Sequence, residues 1–175
     1  MKHFPIFYAL WPKIFFLLGL SSFVGLASCG IYSFSGTSTD ARTIFVDNFQ
    51  NISGGGPPSL AQDFTEQLKE YYQRNSPLSL ANDEAELIVR GQIKQYQVSP
   101  IAAGGDSRAA QNRLSIGIEV DFTDTRNEKA NFTQTFTFYS DFAQELTLEQ
   151  VEVEKIAEIF EQLILDIFNK TVANW

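Results

Sequence analysis

Residues 114–123 read LSIGIEVDFT, and this stretch decides the fold. Every second residue from Leu114 to Phe122 is apolar, whereas the residues between them are polar or glycine. Successive side chains of a β-strand point to opposite faces of a sheet. The alternation therefore predicts a strand with one buried face and one solvated face, and the buried face needs a second layer to cover it.

Two similar runs flank this strand in the sequence. Residues 85–94 alternate in the same manner, but the phase of the alternation changes at Gln95-Tyr96, which predicts a β-bulge there. Residues 132–139 form the third run, in which phenylalanines alternate with threonines. Because these runs follow one another along the chain, joined by loops, we expect them to form an antiparallel meander.

Two amphipathic helices are expected to cover the sheet. The first begins at Ser59, where Ser59-Leu60-Ala61-Gln62 fits the capping-box pattern, and it ends before Pro77. The second follows another capping box, Thr147-Leu148-Glu149-Gln150, and runs towards the C-terminus. Its apolar stripe has helical spacing and consists of Val153, Ile156, Ile159, Phe160, Leu163, Ile164, Ile167 and Phe168.

A further strand is predicted at Thr43–Phe49, ahead of the first helix, because the segment TIFVDNF is rich in β-branched and aromatic residues. The element order is therefore β-α-β-β-β-α. Two helices on one face of a four-stranded sheet would bury every apolar stripe. The sequence thus predicts a two-layer α+β sandwich that forms a single domain over residues 43–175.

The N-terminal segment predicts secretion and lipidation. Residues 1–28 have a basic start, an apolar core and small residues at the end, which is the layout of a signal peptide. Residues 26–29 read LASC and resemble the bacterial lipobox, in which the cysteine receives a diacylglycerol and becomes the first residue of the mature protein. Cys29 would then anchor the protein in a membrane, with residues 29–42 as the lipidated N-terminus and tether. The alternatives are an ordinary cleaved signal with an incidental cysteine, or an uncleaved anchor.

Cleavage before Cys29 limits the chemistry of the mature domain. It removes two of the 13 basic residues and none of the 21 acidic ones, which leaves a net charge of −10 and disfavours nucleic-acid partners. It also removes His3, the only histidine, while acylation consumes the only cysteine. Triads that need histidine or a free thiol, and zinc sites with such ligands, are excluded. We therefore predict no catalytic residue, no metal site and no cofactor.

The remaining polar motifs are weak. Glu119, Asp121 and Asp124 lie on or near the wet side of one strand, where acids alternate with small polar residues as on any solvated sheet. The aspartates that could bind calcium lack the dense spacing of a calcium loop; these are Asp40, Asp47 and Asp83. Gly54–Gly56 and Gly104-Gly105-Asp106 lack the ending of a phosphate-binding loop, and we interpret both as flexible loops.

Four basic residues fall on one predicted hairpin, namely Arg90, Lys94, Arg108 and Arg113. Against an acidic background they could contact an anionic ligand such as a lipid phosphate. Alternatively, they belong to solvated strand faces and balance the charge of nearby acids.

The chain resembles the LptE family of lipopolysaccharide-assembly lipoproteins. The resemblance rests on the order of CGIYSFSG at 29–36, the strand at 43–49, the helical run 60–68, NRL at 112–114 and IFNKTVANW at 167–175. It implies an outer-membrane lipoprotein with two helices on a four-stranded sheet and no catalytic activity. Such a protein sits as a plug inside the β-barrel of LptD, between periplasm and barrel lumen, and helps to insert lipopolysaccharide. In some members, basic residues at one end of the sheet contact lipopolysaccharide.

Two other classes of function stay open at this point. A freestanding envelope lipoprotein that binds lipid or another envelope component would have a pocket between its helices and its sheet, whereas a plug would have a packed core. A carboxylate-dependent hydrolase would have a cleft with two acids about 5–10 Å apart. By resemblance to the lipoprotein sorting rule, Ile31 rather than aspartate at the second position after Cys29 favours the outer membrane.

Overall fold

The computed structural model describes residues 40–82, 84–101 and 110–172. The predicted signal peptide, Cys29, nearly all of the tether, Arg108 and Trp175 lie outside this part of the chain. The described elements are β1 (Thr43–Val46), β2 (Gln50–Asn51), α1 (Leu60–Asn75), β3 (Ser79–Leu80), β4 (Leu87–Ile101), β5 (Gln111–Asp124), β6 (Phe132–Ala143) and α2 (Leu148–Thr171). A short 3₁₀ helix at Glu128–Ala130 precedes β6.

The sheet is mixed, and both helices pack on one face of it, which confirms the predicted two-layer α+β arrangement. Its strand order is β3-β1-β4-β5-β6, with β2 beside β4. Strands β4, β5 and β6 form the expected antiparallel meander. Strands β1 and β2 both run parallel to β4, and β3 runs parallel to β1.

The predicted number of four strands is wrong, because the described sheet has six. The strand expected at Thr43–Phe49 ends at Val46, since the chain there bends into the core. Phe49 is buried, and its backbone N–H donates to Thr65 Oγ1 of α1 at 3.1 Å instead of to a neighbouring strand. The chain then rejoins the edge of β4 as β2, and two residues of the segment expected to be a loop after α1 form β3.

The bulge predicted from the phase change in β4 is confirmed. Ile93 lies opposite Ile118 of β5 and Gln95 lies opposite Gly117, so Lys94 is the extra residue on the bulged strand. The extra residue shifts the alternation by one position. As a result Tyr96 lies opposite the buried Ile116, on the same face of the sheet as Ile93.

Aromatic side chains connect the two layers. The Phe64 ring of α1 meets Phe49 edge to face at 5.1 Å and Phe160 of α2 at 5.0 Å. Phe64 and Phe160 are both fully buried. The alternating apolar residues of β5 lie beneath them and are at most 2% exposed; they are Leu114, Ile116, Ile118, Val120 and Phe122.

The helix starts differ in part from the expected pattern. Thr147 and Gln150 form the predicted capping box of α2, in which the Thr147 N–H donates to Gln150 Oε1 at 2.9 Å. The capping box predicted at Ser59 is wrong, because Ser59 already has helical dihedral angles and its side chain makes no capping hydrogen bond. The Leu60 N–H donates instead to the Pro57 carbonyl at 3.0 Å, so the loop's own backbone begins α1.

One residue of the expected apolar stripe of α2 is not in the core. Val153 is 84% exposed, although it has the helical spacing of its buried neighbours. It lies near the beginning of α2, close to where β4 and β6 end, and the sheet no longer covers the stripe there. The other members of the stripe, from Ile156 to Phe168, are buried as expected.

The glycine-rich loop before α1 is packed rather than flexible. Gly54 and Gly56 have positive φ angles of 77° and 85°, which favour glycine, and the Asn51 side-chain amide donates to the Gly55 carbonyl at 2.8 Å. A Cβ atom on Gly55 or Gly56 would contact the Tyr96 ring at about 3 Å. The Tyr96 hydroxyl donates to Glu152 of α2 at 2.5 Å, so the loop, β4 and α2 are joined at this ring.

Tyr72 makes the one hydrogen bond of this fold for which we predict a stability change. Its fully buried hydroxyl lies 2.7 Å from Thr171 Oγ1, and burial raises the pKa of this tyrosine. We expect Tyr72→Phe to lower the free energy of unfolding by about 0.5–1.5 kcal/mol, because Thr171 keeps its bond to the Ile167 carbonyl. Urea unfolding measures this loss, and Tyr71→Phe is the matched control, since the Tyr71 hydroxyl makes no hydrogen bond within the described residues. Equal losses in both variants would contradict the assignment.

Candidate functional surface

The face of the sheet opposite the helices is the candidate functional surface, and we call it the open face. Neither helix covers it, because both pack on the other side. Hydroxyl, amide and charged groups cover its three long strands. Its members on β4, β5 and β6 are Arg90, Gln92, Gln95, Gln97, Arg113, Ser115, Gly117, Glu119, Asp121, Thr133, Thr135, Thr137, Tyr139 and Asp141.

Every described cation of the predicted basic group is paired with a carboxylate. Arg90 Nε lies 3.4 Å from Asp47, at the point where β1 ends. Lys94, the bulge residue, lies 2.6 Å from Glu119. This bond lowers the pKa of the Glu119 carboxyl, with a smaller contribution from Gln92.

Arg113 has the most specific of these pairings. Its guanidinium donates two hydrogen bonds to the Asp141 carboxylate, at 2.7 and 2.9 Å, and lies 3.5 Å above the centre of the Tyr139 ring. The bidentate bond lowers the pKa of Asp141 and raises that of Arg113. Tyr139 is 46% exposed, so its ring holds the guanidinium from the solvent side.

The described cations lie apart rather than in one cluster. Arg90 lies opposite Asp121, and Arg113 is eight residues away along β5. At about 3.4 Å per residue this is about 27 Å. Lys94 lies near Arg90 through its contact with Glu119, and Arg108 lies outside the described residues. The charges therefore balance neighbouring acids, and contact with an anionic ligand stays a prediction.

A shallow groove of about 310 Å³ opens at the Arg90 end of the open face. Asp47, Glu119 and Asp121 all line it, so it is the place where a carboxylate-dependent hydrolase would have its acids. A general acid needs a raised pKa, whereas the pKa of Glu119 is lowered by Lys94. Asp124 does not join them, because it is buried at the end of β5 and accepts the Arg126 N–H at 2.9 Å. Within the described ranges, no group of three or more residues could hold a metal ion.

Charge divides the two sides of the molecule. Helices α1 and α2 together carry nine acidic and four basic residues, nearly all of them on the outer surface. On the other side, Asp47 and the open-face acids nearly balance Arg90, Lys94 and Arg113. The open face is therefore polar and almost neutral, whereas the helical side is strongly acidic.

The bidentate pair predicts a pH dependence of stability. The pKa of Asp141 is lowered in the folded protein, so its pairing stabilises the fold above the ordinary aspartate pKa and is lost as the pH falls through the lowered value. We expect Asp141→Asn to be less stable than the parent in urea unfolding at about pH 7 and equally stable at about pH 2.5. Asp121→Asn is the control, because Asp121 forms no ion pair with any described residue. A difference that persisted unchanged at the lower pH would contradict the pairing.

Sequence comparison identifies the family. The sequence profile of the family described as "LptE: Lipopolysaccharide-assembly" matches residues 41–171, three quarters of the chain and nearly all of the described domain. The chain belongs to the LptE family. This confirms the resemblance found in the sequence and makes the protein a member of a non-enzymatic family of envelope lipoproteins for lipopolysaccharide assembly. No curated protein sequence matches the chain.

Solved structures similar to this chain share its fold at low sequence identity. A hypothetical protein from Chlamydia trachomatis is 10% identical, with a TM-score of 0.52 over 76% of this chain and 99% of its own. A homolog of a neuraminyllactose-binding hemagglutinin from Helicobacter pylori is 12% identical, with a TM-score of 0.50 over 75% and 86%. A minor lipoprotein from Acinetobacter baumannii is 16% identical, with a TM-score of 0.49 over 74% and 91%. Within the described part of the LptE-family chain, neither helix is long and apolar enough to cross a membrane.

Proposed function

We propose that this LptE-family protein is an outer-membrane lipoprotein that partners an LptD-type β-barrel and helps it to insert lipopolysaccharide. The match of the family profile over residues 41–171 carries this proposal. In it, residues 1–28 direct export, Cys29 receives the lipid, and the tether at 29–42 leads to the domain. The domain works by contact, facing the periplasm or the lumen of the barrel.

The open face supports a role inside a barrel. The interior of an outer-membrane barrel is polar, because lumen-facing and lipid-facing residues alternate along each strand. A surface of threonine, serine and glutamine side chains, with its cations already paired, can form hydrogen bonds to such a wall without burying unpaired charge. The open face is thus the part of the domain best suited to contact the barrel.

The packing of the core supports a plug rather than a lipid carrier. A carrier needs an apolar pocket for acyl chains between the helices and the sheet. Here Phe64 occupies the space between the layers and contacts both Phe49 and Phe160. Leu68 and Tyr72, further along α1, are also completely buried. Side chains therefore fill the region where a carrier would hold its lipid.

Depletion of the protein in its native cells tests this function. We expect lipopolysaccharide at the cell surface to fall as the protein is depleted, and the full chain supplied in trans to restore it. The acidity of the helices gives a matched comparison, because Glu66→Gln should rescue as well as the parent. Normal surface lipopolysaccharide after complete depletion would overturn the proposed function.

A further inference from the structure

The outer edge of β6 is an unpaired strand edge. Strand β6 is the last strand of the sheet and spans Phe132–Ala143. All its pairing is with β5, and within the described ranges no backbone group of residues 132–142 bonds to another element. Such an edge presents a row of free N–H and C=O groups that can pair with another strand.

The usual protective features are missing from this edge. Natural edge strands are commonly short, bulged, or interrupted by lysine or proline. Strand β6 has 12 residues, pairs with β5 without a bulge, and contains neither lysine nor proline. Its only charged residue is Asp141, which is held by Arg113. The opposite edge differs, because β3 has only two residues and follows Pro77.

We propose that β6 pairs antiparallel with β6 of a second copy of this chain, about a two-fold axis at Thr137. Directly opposite residues of such a pair lie on the same face of the sheet. With Thr137 on the axis, Phe136 lies opposite the second copy's Phe138, and Phe132 lies opposite its Phe142. Gln134 then meets Ser140. Every apolar residue on the helix-covered face therefore meets an apolar residue, and polar meets polar.

The other face of the strand is equally compatible with this register. Thr135 lies opposite the second copy's Tyr139, and Asp141 lies opposite Thr133, so no like charges meet. Moving the axis to Phe138 would place Gln134 against Phe142 and Phe136 against Ser140, which removes the match. Phe132 and Phe138 are only half-buried in the single chain, and the pairing would cover them. The strand sequence is thus complementary to itself in one register. The inference does not depend on the barrel partner.

Cysteine cross-linking tests both the pairing and its register. In detergent-extracted full chain, we expect Thr137→Cys to form a disulfide-linked dimer under copper–phenanthroline in air, because the two sulfurs face each other across the axis. Thr135→Cys alone should not cross-link, since its two copies are about 14 Å apart, four residues along the strands. Thr135→Cys and Tyr139→Cys chains expressed together should cross-link. The parent chain, which contains only Cys29, gives the background.

A charge placed on the axis gives a second test. Thr137→Lys puts two lysines directly opposite each other, whereas Thr135→Lys puts a lysine opposite Tyr139. We expect the first variant to weaken the dimer about fivefold in light scattering, and the second to have little effect. A monomer at every concentration, or a Thr135→Cys dimer as abundant as the Thr137→Cys dimer, would overturn the proposal. Protection of the thiol introduced by Thr137→Cys from maleimide in a monomer would overturn it too, because the chain itself would then cover the edge.

Discussion

Replacing Phe64 by alanine is expected to lower the free energy of unfolding by about 3–5 kcal/mol. The ring is fully buried and is the only described side chain that stacks on both the β1–β2 connection, through Phe49, and α2, through Phe160. Its removal would leave a cavity between the two layers that these rings cannot close without moving apart. Urea or thermal unfolding of the purified protein measures the loss.

The matched control for this variant is Val153→Ala. Val153 also belongs to an apolar helical stripe, but it is 84% exposed, and we expect its truncation to change the free energy of unfolding by less than about 0.5 kcal/mol. A loss at Val153 equal to that at Phe64 would show that α2 is packed differently from the structure. A small loss at Phe64 would show that the layers are not held together by this ring.

Replacing Cys29 by serine is expected to abolish lipidation completely. Cys29 is the only cysteine of the chain and ends the lipobox-like sequence LASC, so no other thiol can accept the diacylglycerol. Two or three acyl chains hold a protein on a membrane almost permanently, because each buried CH₂ contributes about 0.8 kcal/mol. Metabolic labelling with radioactive palmitate, followed by immunoprecipitation, measures the modification.

The control for lipidation is Ser33→Ala, a change in the tether that leaves the lipobox intact. We expect it to incorporate as much label as the parent, whereas Cys29→Ser incorporates none. Label in the Cys29→Ser chain would place the lipid elsewhere, and an unlabelled parent would favour the ordinary signal peptide over the lipoprotein signal.

Much of the fold could be predicted from local sequence patterns. The period-two alternation of residues 114–123 identified the central strand, and all of its apolar residues are buried. The phase change at Gln95-Tyr96 located the bulge to within one residue of Lys94. These features could be predicted because each depends on the few residues that form it.

Features that depend on distant contacts could not be predicted. The segment at 43–49 has the composition of one continuous strand, but its N–H at Phe49 bonds to Thr65, 16 residues later in α1. The exposure of Val153 depends on where the sheet ends beneath α2. Neither fact is visible in the local pattern, because both result from how the layers meet.

The candidate surface shows the same division. The basic residues could be found in the sequence, but the acids that pair with them could not, because those pairs depend on strand register. Asp141 meets Arg113 only because β6 pairs with β5 in one register, 28 residues apart along the chain. Likewise, Glu119 meets Lys94 because the bulge places that lysine beside it.

Recovery of a partner from the outer membrane tests the central claim most directly. We predict that the affinity-tagged full chain, purified from detergent-solubilised outer membranes, brings down a large β-barrel protein in about equal amount, which mass spectrometry identifies as an LptD-type barrel. The same tag on an unrelated outer-membrane lipoprotein provides the control. Repeated purification of the intact, membrane-bound chain without any large barrel protein would contradict the account.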